Sequence, residues 1–155
     1  MAETPEEIAY AESVRAIAQQ SSQLDELRSR TGLLLTGASV ATSFLGAEAL
    51  SRDGELGTLG GLAVLAFLAV VGLCLWIVVP RRKAWRLVLG AKVLLEDWAD
   101  EPRCGDANAM KRFVATTLEE NYDLNEALLD RLYRVFSLGA GALGAEVLLW
   151  TMKLA

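Results

Sequence analysis

The chain contains no histidine among its 155 residues, so the usual general base of enzymes and the commonest metal-ligating side chain are both missing. Its two cysteines, Cys74 and Cys104, are too few for a disulfide framework or a cysteine-based metal site. The phosphate-binding pattern G-x-x-x-x-G-K-[ST] is also absent. A net charge of −5 disfavours nucleic acid as a partner, because nucleic-acid binding needs a basic face. These absences predict a protein that is not an enzyme, with no catalytic residues, no metal site and no cofactor.

Charge is missing from three long stretches of the chain. Residues 31–47 and 56–79 contain no Asp, Glu, Lys or Arg, and residues 135–152 contain only Glu146. The hydrocarbon core of a membrane needs roughly 20 apolar residues of helix, so the second stretch is long enough to cross it. The other two, of 17 and 18 residues, are short and could instead be buried helices of a soluble bundle. We predict an all-α membrane protein with three transmembrane helices: span one at 31–50, span two at 56–79 and span three at 135–152.

The segment before span one is predicted to be a cytoplasmic helix over 5–30. Its start carries a capping box, in which Thr4 is the N-cap, Pro5 takes the first helical position and the Glu7 side chain reaches back. No proline separates this helix from span one, so we expect one helix to continue into the membrane. The segment lacks the apolar core of a signal peptide, so span one itself is expected to target the protein. Its apolar stripe either packs against another cytoplasmic helix or mediates self-association.

The segment 80–134 is predicted to be a cytoplasmic helical hairpin between spans two and three. Pro102 and Gly105 interrupt an otherwise helical pattern, so one arm precedes them and a second arm runs from about 107 to 134. Neighbouring carboxylates on these arms point about 100° apart, which fits a solvated helix face rather than a catalytic pair. We expect 1–155 to form a single membrane domain.

Lysine and arginine are distributed unequally among the segments outside the spans. Segment 80–134 holds ten of them and residues 1–30 hold three, whereas the link 48–55 holds one and the C-terminus adds only Lys153. By the positive-inside rule, this distribution predicts a multi-pass protein with the N-terminus and segment 80–134 in the cytoplasm.

Small residues recur at four-residue spacing in the spans, a pattern that lets helices approach closely in lipid. The candidates for helix packing are Gly57, Gly61, Ser137, Gly141 and Ala145. The pattern does not distinguish packing within one chain from packing between chains. Of the two, we favour packing within the chain.

Polar side chains within the spans are candidates for an intramembrane polar site or a pore lining. They are Thr36, Ser39, Thr42, Ser43 and Glu146. Glu146 lies about 16 Å along a span of about 27 Å, and a charge at the centre of a bilayer costs about 2.5–3.5 kcal/mol on insertion scales. Three interpretations are open: a neutral carboxyl that hydrogen-bonds to a neighbouring span, a carboxylate that reaches the outer interface near Lys153, or an acidic ring in an oligomeric pore.

The stretch LDELRSRTGLLLTGASVATSFLGA at 24–47 is followed by a glycine-bearing second span that ends in aromatic and basic residues. This arrangement resembles the small bacterial membrane effectors of nucleotide-signalled anti-phage systems, the SLATT-like and Pycsar-type membrane effectors. The stretch NEALLDRLYRVFSLG at 125–139 is similar to actinobacterial membrane proteins, some of them associated with plasmid transfer. The resemblance covers nearly the whole chain in layout and carries no catalytic signature.

This resemblance implies an inner-membrane effector that senses a cyclic nucleotide or a partner protein, forms a homo-oligomer and impairs the bilayer in abortive infection. The sequence contains no separate nucleotide-binding module. A ligand would therefore bind the cytoplasmic helices, at residues that the sequence does not identify, or be sensed by another protein. The alternative function is a constitutive membrane accessory protein, such as a plasmid-transfer-associated integral membrane protein. Polar residues in the spans favour the effector, because a passive anchor does not need them.

Overall fold

The computed structural model describes residues 4–53, 55, 57–79, 85 and 107–155, and three long α-helices make up almost all of these residues. Helix α1 is Pro5–Asp53, α2 is Gly57–Val78 and α3 is Ala107–Leu154. Each helix is long and apolar enough to cross a membrane. The prediction of an all-α protein with three potential membrane-spanning helices is therefore confirmed. The first arm of the predicted hairpin lies outside the described residues.

Helix α1 begins with the predicted capping box. The Glu7 amide donates to the Thr4 hydroxyl oxygen at 3.3 Å, and the Thr4 amide donates to Oε2 of Glu7 at 3.2 Å. The Glu7 amide also donates to the Thr4 carbonyl at 3.0 Å. The bond from the Thr4 amide satisfies a donor that the helix itself cannot pair. The helix then continues without a break for 49 residues, which confirms that one helix runs from the polar N-terminal segment through the first apolar stretch.

Helix α3 joins the second hairpin arm and span three into one helix of 48 residues. Its glycines do not interrupt it, because Gly57 is the only described glycine with a positive φ, at 57°. Gly57 is the first residue of α2. The left-handed backbone that it adopts is accessible to glycine at little cost, so it suits the short link between α1 and α2.

The contacts divide the chain into two compact units, whereas a single membrane domain over 1–155 was expected from the sequence. Unit 1 comprises Met1–Asp25 and Arg81–Leu129, and unit 2 comprises Glu26–Pro80 and Asp130–Ala155. The core of unit 1 joins α1 to α3 through Ile17, Val114 and Leu118, with Phe113 and Tyr122 packed against it.

The core of unit 2 consists of two clusters of mostly small side chains from its three helices. One contains Ala38, Val70 and Cys74, and the other contains Ala49, Ala63 and Trp150. Ala38 of α1 packs with Val70 and Cys74 of α2, and Ala49, further along α1, packs with Ala63, which comes earlier in α2. These two helices are therefore antiparallel. Helix α3 is parallel to α1, since Thr42 contacts Glu146 and Arg52 donates to the Leu154 carbonyl at 3.1 Å.

The outward surface of unit 2 is apolar. Leu33 and Phe44 of α1 are 72% and 74% exposed, and Leu148 of α3 is 64% exposed. Monomeric soluble proteins rarely leave a large continuous apolar surface in water. Together with the charge-free sequence of α2, this surface fits contact with lipid.

Candidate functional site

A single carboxyl group is enclosed in the core of unit 2. Glu146 of α3 has no exposed surface, and the Thr42 hydroxyl of α1 donates to its Oε1. Its Oε2 has no hydrogen-bond partner among the described residues. Of the five polar residues selected from the sequence, the structure thus brings Thr42 and Glu146 together. Their contact gives the site one hydrogen bond and leaves one carboxyl oxygen unpaired.

Trp150 and Gly46 form the next layer of this site, and neither was among the candidates selected from the sequence. Trp150 follows Glu146 by one helical turn and is 1% exposed, and its Nε1 lacks a hydrogen-bond partner among the described residues. A Cβ at Gly46, one turn after Thr42, would lie 3.3 Å from the Trp150 ring. Glycine therefore lets the indole pack against α1. The matching four-residue spacing on both helices is the signal that could have indicated this layer.

The other three candidate hydroxyls bond to their own helix. Thr36 donates to the Gly32 carbonyl at 3.0 Å, Ser39 to the Leu35 carbonyl at 2.9 Å and Ser43 to the Ser39 carbonyl at 2.7 Å. Thr36 and Ser43 are exposed and Ser39 is half-buried. These hydroxyls already donate to backbone carbonyls, and among the described residues of unit 2 no side-chain hydrogen bond links them to Glu146.

The candidates for helix packing on α3 face outward. Ser137, Gly141 and Ala145 are exposed, and a Cβ added at Gly141 would meet nothing within 4 Å. Packing within the chain, which the sequence analysis favoured, is therefore wrong for these three residues. The face of α3 that packs against the other two helices carries Gly139, Glu146 and Trp150 instead.

The two candidates on α2 make few contacts. A Cβ added at Gly61 would meet nothing within 4 Å, and one at Gly57 would lie 3.4 Å from Nζ of Lys153. Gly57 therefore serves the start of α2 rather than close packing of two helix faces.

Three glycines of α3, Gly139, Gly141 and Gly144, match the pattern G-x-G-x-x-G. In dinucleotide-binding proteins this pattern lies in a turn between a strand and a helix. Here all three residues lie inside one continuous helix. The glycines therefore do not form a phosphate-binding turn.

In unit 1, polar contacts join α1 to α3. Nζ of Lys111 lies 2.6 Å from Oε1 of Glu7, and Nε2 of Gln20 donates to the Tyr122 carbonyl at 2.9 Å. The hydrogen bond from Lys111, assisted by the Thr4 amide, lowers the pKa of Glu7 below its usual range. These contacts lie on either side of the apolar cluster of unit 1 and help to fix the pairing of the two helices.

A groove of about 430 Å³ lies between α1 and α3 in unit 1. This volume falls within the range of about 300–1,000 Å³ that is typical of small-molecule sites. The described residues that line the groove are Ala9, Glu12, Ser13, Ala16, Leu118, Glu119 and Tyr122. Two of them are acidic and none is basic, so they are unfavourable for the phosphate of a nucleotide.

No protein family, curated protein or solved structure matches this chain. The fold and the site define its class by themselves: an all-α protein with three helices apolar enough to cross a membrane and one carboxyl enclosed among them. Within the described residues, no group of three or more acidic or cysteine side chains could hold a metal ion.

Proposed function

We propose that this protein is an effector of the bacterial inner membrane that assembles into homo-oligomers and impairs membrane integrity during phage infection. The resemblance of residues 24–47 to such effectors supports the biological role. The three apolar helices support a location in the bilayer. The proposed N-terminus is cytoplasmic, following the distribution of Lys and Arg. The proposed activity is physical disruption of the bilayer rather than catalysis.

The observation that carries this proposal is an exposed face of small residues on α3. Ser137, Gly141, Gly144 and Ala145 all lie on the surface of unit 2. A Cβ added at Gly141 or Gly144 would meet nothing within 4 Å. In lipid, small residues at this spacing let two helix backbones approach closely. Because no described helix of the chain covers this face, a second copy of the chain is proposed to cover it in the active form.

The exposed hydroxyls of α1 are proposed to face the opening that assembly creates. Thr36 and Ser43 lie on the surface of unit 2 and donate to carbonyls of their own helix. Such a hydroxyl still has lone pairs that accept hydrogen bonds from water. Glu146, by contrast, is enclosed in the packed unit, so its membership of a pore lining would require α1 and α3 to separate.

The activating signal is proposed to reach the protein through a partner protein rather than through a nucleotide bound in the groove of unit 1. The described lining of that groove carries Glu12 and Glu119 and no basic side chain. A cyclic nucleotide carries a negative phosphate, and the described lining offers it no cation, because the neighbouring Arg15 is paired with Glu12 at 2.7 Å. A basic segment of a partner has the complementary charge.

Cysteine crosslinking in native membranes tests the assembly. With both native cysteines replaced, Cys74→Ala and Cys104→Ser, we expect Ala145→Cys to form disulfide-linked dimers after phage challenge. Leu68→Cys, which lies on the exposed surface of α2, is the matched control and should remain monomeric. Adding Gly141→Leu should abolish crosslinking at Ala145→Cys, because a large side chain keeps the backbones apart.

A membrane-potential dye in the same cells tests the activity. We expect depolarisation after phage challenge in cells with the parent protein and its loss with Gly141→Leu, at equal amounts of protein in the membrane. Depolarisation by a protein that stays monomeric would refute the homo-oligomer.

The burial of Glu146 favours a second candidate function, a membrane accessory protein such as one associated with plasmid transfer. Of the polar residues that were expected to favour the effector, Glu146 and Thr42 bond to each other inside unit 2 and are not exposed to a pore, which suits a passive anchor. The two functions are distinguished by their phenotypes. An unchanged membrane potential at every expression level, with plasmid transfer that depends on the chain, would favour the accessory protein.

Thiol labelling in intact cells tests the proposed orientation. In the cysteine-free variant, Ser51→Cys should react with a membrane-impermeant reagent, and Glu119→Cys should react only after the cells are opened. Both positions are exposed in the structure, so differences in burial do not explain a difference in labelling. The reverse pattern would place the N-terminus outside.

A further inference from the structure

The carboxyl of Glu146 is shielded from water and incompletely paired. It has no exposed surface, the Thr42 hydroxyl donates to Oε1, and Oε2 has no partner among the described residues. The apolar clusters that contain Ala38 and Ala49 lie on either side of this contact along α1. Water therefore cannot solvate the group while the three helices remain packed.

The described helices of unit 2 also offer the carboxyl no counter-charge. Residues 31–47, 57–79 and 135–145 contain no Asp, Glu, Lys or Arg. The nearest basic residue further along α3 is Lys153, about two helical turns away. Arg52 of α1 forms an exposed ion pair near the end of its helix. A carboxylate with neither water nor a counter-charge is strongly disfavoured, whereas the neutral acid is tolerated.

We infer that Glu146 is a proton-binding site inside unit 2, which holds a proton while α1 and α3 are packed and releases it when they separate. The Thr42 hydroxyl occupies one carboxyl oxygen, which leaves Oε2 as the atom that carries the proton. Separation of the helices hydrates the group, and a hydrated glutamate is ionised at neutral pH. The inference rests on this geometry and does not depend on the function proposed above.

Infrared difference spectroscopy of the full-length protein in lipid tests the protonation state directly. At about pH 7.5 an exposed glutamate, with a pKa of about 4.3, is ionised. We expect Glu146→Gln to remove the carbonyl band of a protonated carboxyl. Glu48→Gln, at an exposed carboxylate paired with Arg52, should remove only carboxylate bands. If Glu146→Gln removes carboxylate bands and leaves the carbonyl band of a protonated carboxyl unchanged, the proposal is overturned.

Thr42→Val provides a second variant that keeps Glu146 in place. The carboxyl should stay protonated, and its carbonyl band should move to higher frequency because the carbonyl oxygen loses a hydrogen bond. A protonated band that does not move would refute the role assigned to the Thr42 hydroxyl.

Cys74 is a native reporter of helix separation, because it is buried in the cluster with Ala38 and Val70. In a Cys104→Ser protein, the rate of Cys74 alkylation is measured across pH for the parent and for Glu146→Gln. Ionisation of the thiol changes both rates by the same factor, so it drops out of their ratio. Since separation releases one proton, the ratio of parent to variant should rise by up to about tenfold per pH unit. A ratio that does not change with pH would overturn the link between packing and proton binding.

Discussion

Replacing Thr42 by valine should destabilise unit 2 more than any comparable change at the other hydroxyls. Valine keeps the shape of threonine and removes the one hydrogen bond that the enclosed Glu146 carboxyl makes to the described residues. A buried polar group left without a partner costs about 1–3 kcal/mol. The free energy of unfolding should therefore fall by about 1–3 kcal/mol, an amount that is large beside the total stability of a small protein.

Thr36→Val is the matched control for this prediction. The Thr36 hydroxyl is exposed and donates to the Gly32 carbonyl of its own helix, which keeps its helical hydrogen bond after the substitution. We expect a change within about 0.5 kcal/mol. The assay is reversible unfolding in mixed detergent micelles, followed by circular dichroism, for the parent and both variants.

A double substitution at the contact shows whether the unpaired carboxyl is the cause. Glu146→Met replaces the carboxyl by an apolar group of similar length. In this single variant Thr42 can donate to a carbonyl of its own helix, and in the double variant with Thr42→Val both partners are apolar. Replacing both partners by apolar groups of similar shape can be nearly neutral. The double variant should therefore recover most of the stability that Thr42→Val loses. The reasoning would be refuted if Thr42→Val were as mild as Thr36→Val, or if the double variant lost the sum of the two single effects.

Two further predictions concern close packing and acidity. Gly46→Ala should have a free energy of unfolding about 1–3 kcal/mol below that of the control Gly72→Ala in the same micelle assay, because a Cβ at Gly46 would lie 3.3 Å from the buried Trp150 ring, whereas a Cβ at Gly72 meets nothing within 4 Å. Comparing the two variants cancels the higher helix propensity that alanine brings to both positions. The pKa of Glu7 is lowered chiefly by its hydrogen bond from Lys111. The ionised Glu7 should therefore contribute fully to the stability of the fold above about pH 4.3, and this contribution should be lost as pH falls through the lowered pKa of the folded protein. Carbon NMR titration of the Glu7 carboxyl should give a pKa below the usual range, and Lys111→Met should bring it back toward that range; an unchanged value in Lys111→Met would contradict the assigned cause.

Local signals in the sequence determined where the helices begin and how far they run. The capping box of Thr4, Pro5 and Glu7 predicted the start of α1, because its residues lie within one turn and interact only with each other. The absence of charge from 56–79 predicted α2 nearly to its ends, since length and composition suffice to indicate an apolar helix. The continuity of α1 followed in the same way from the lack of proline before the first apolar stretch.

Only the tertiary structure decided which residues meet across the helices. Thr42 and Glu146 are 104 positions apart, and the three other hydroxyls selected from the same apolar stretch, Thr36, Ser39 and Ser43, were equal candidates for that contact. The sequence pattern could not choose among them, because a helix that is apolar all round carries no signal for its inner face. The same reason explains why the small residues of α3 were expected to pack within the chain. Their outward position depends on Trp150, whose ring fits against α1 only where Gly46 leaves room for it.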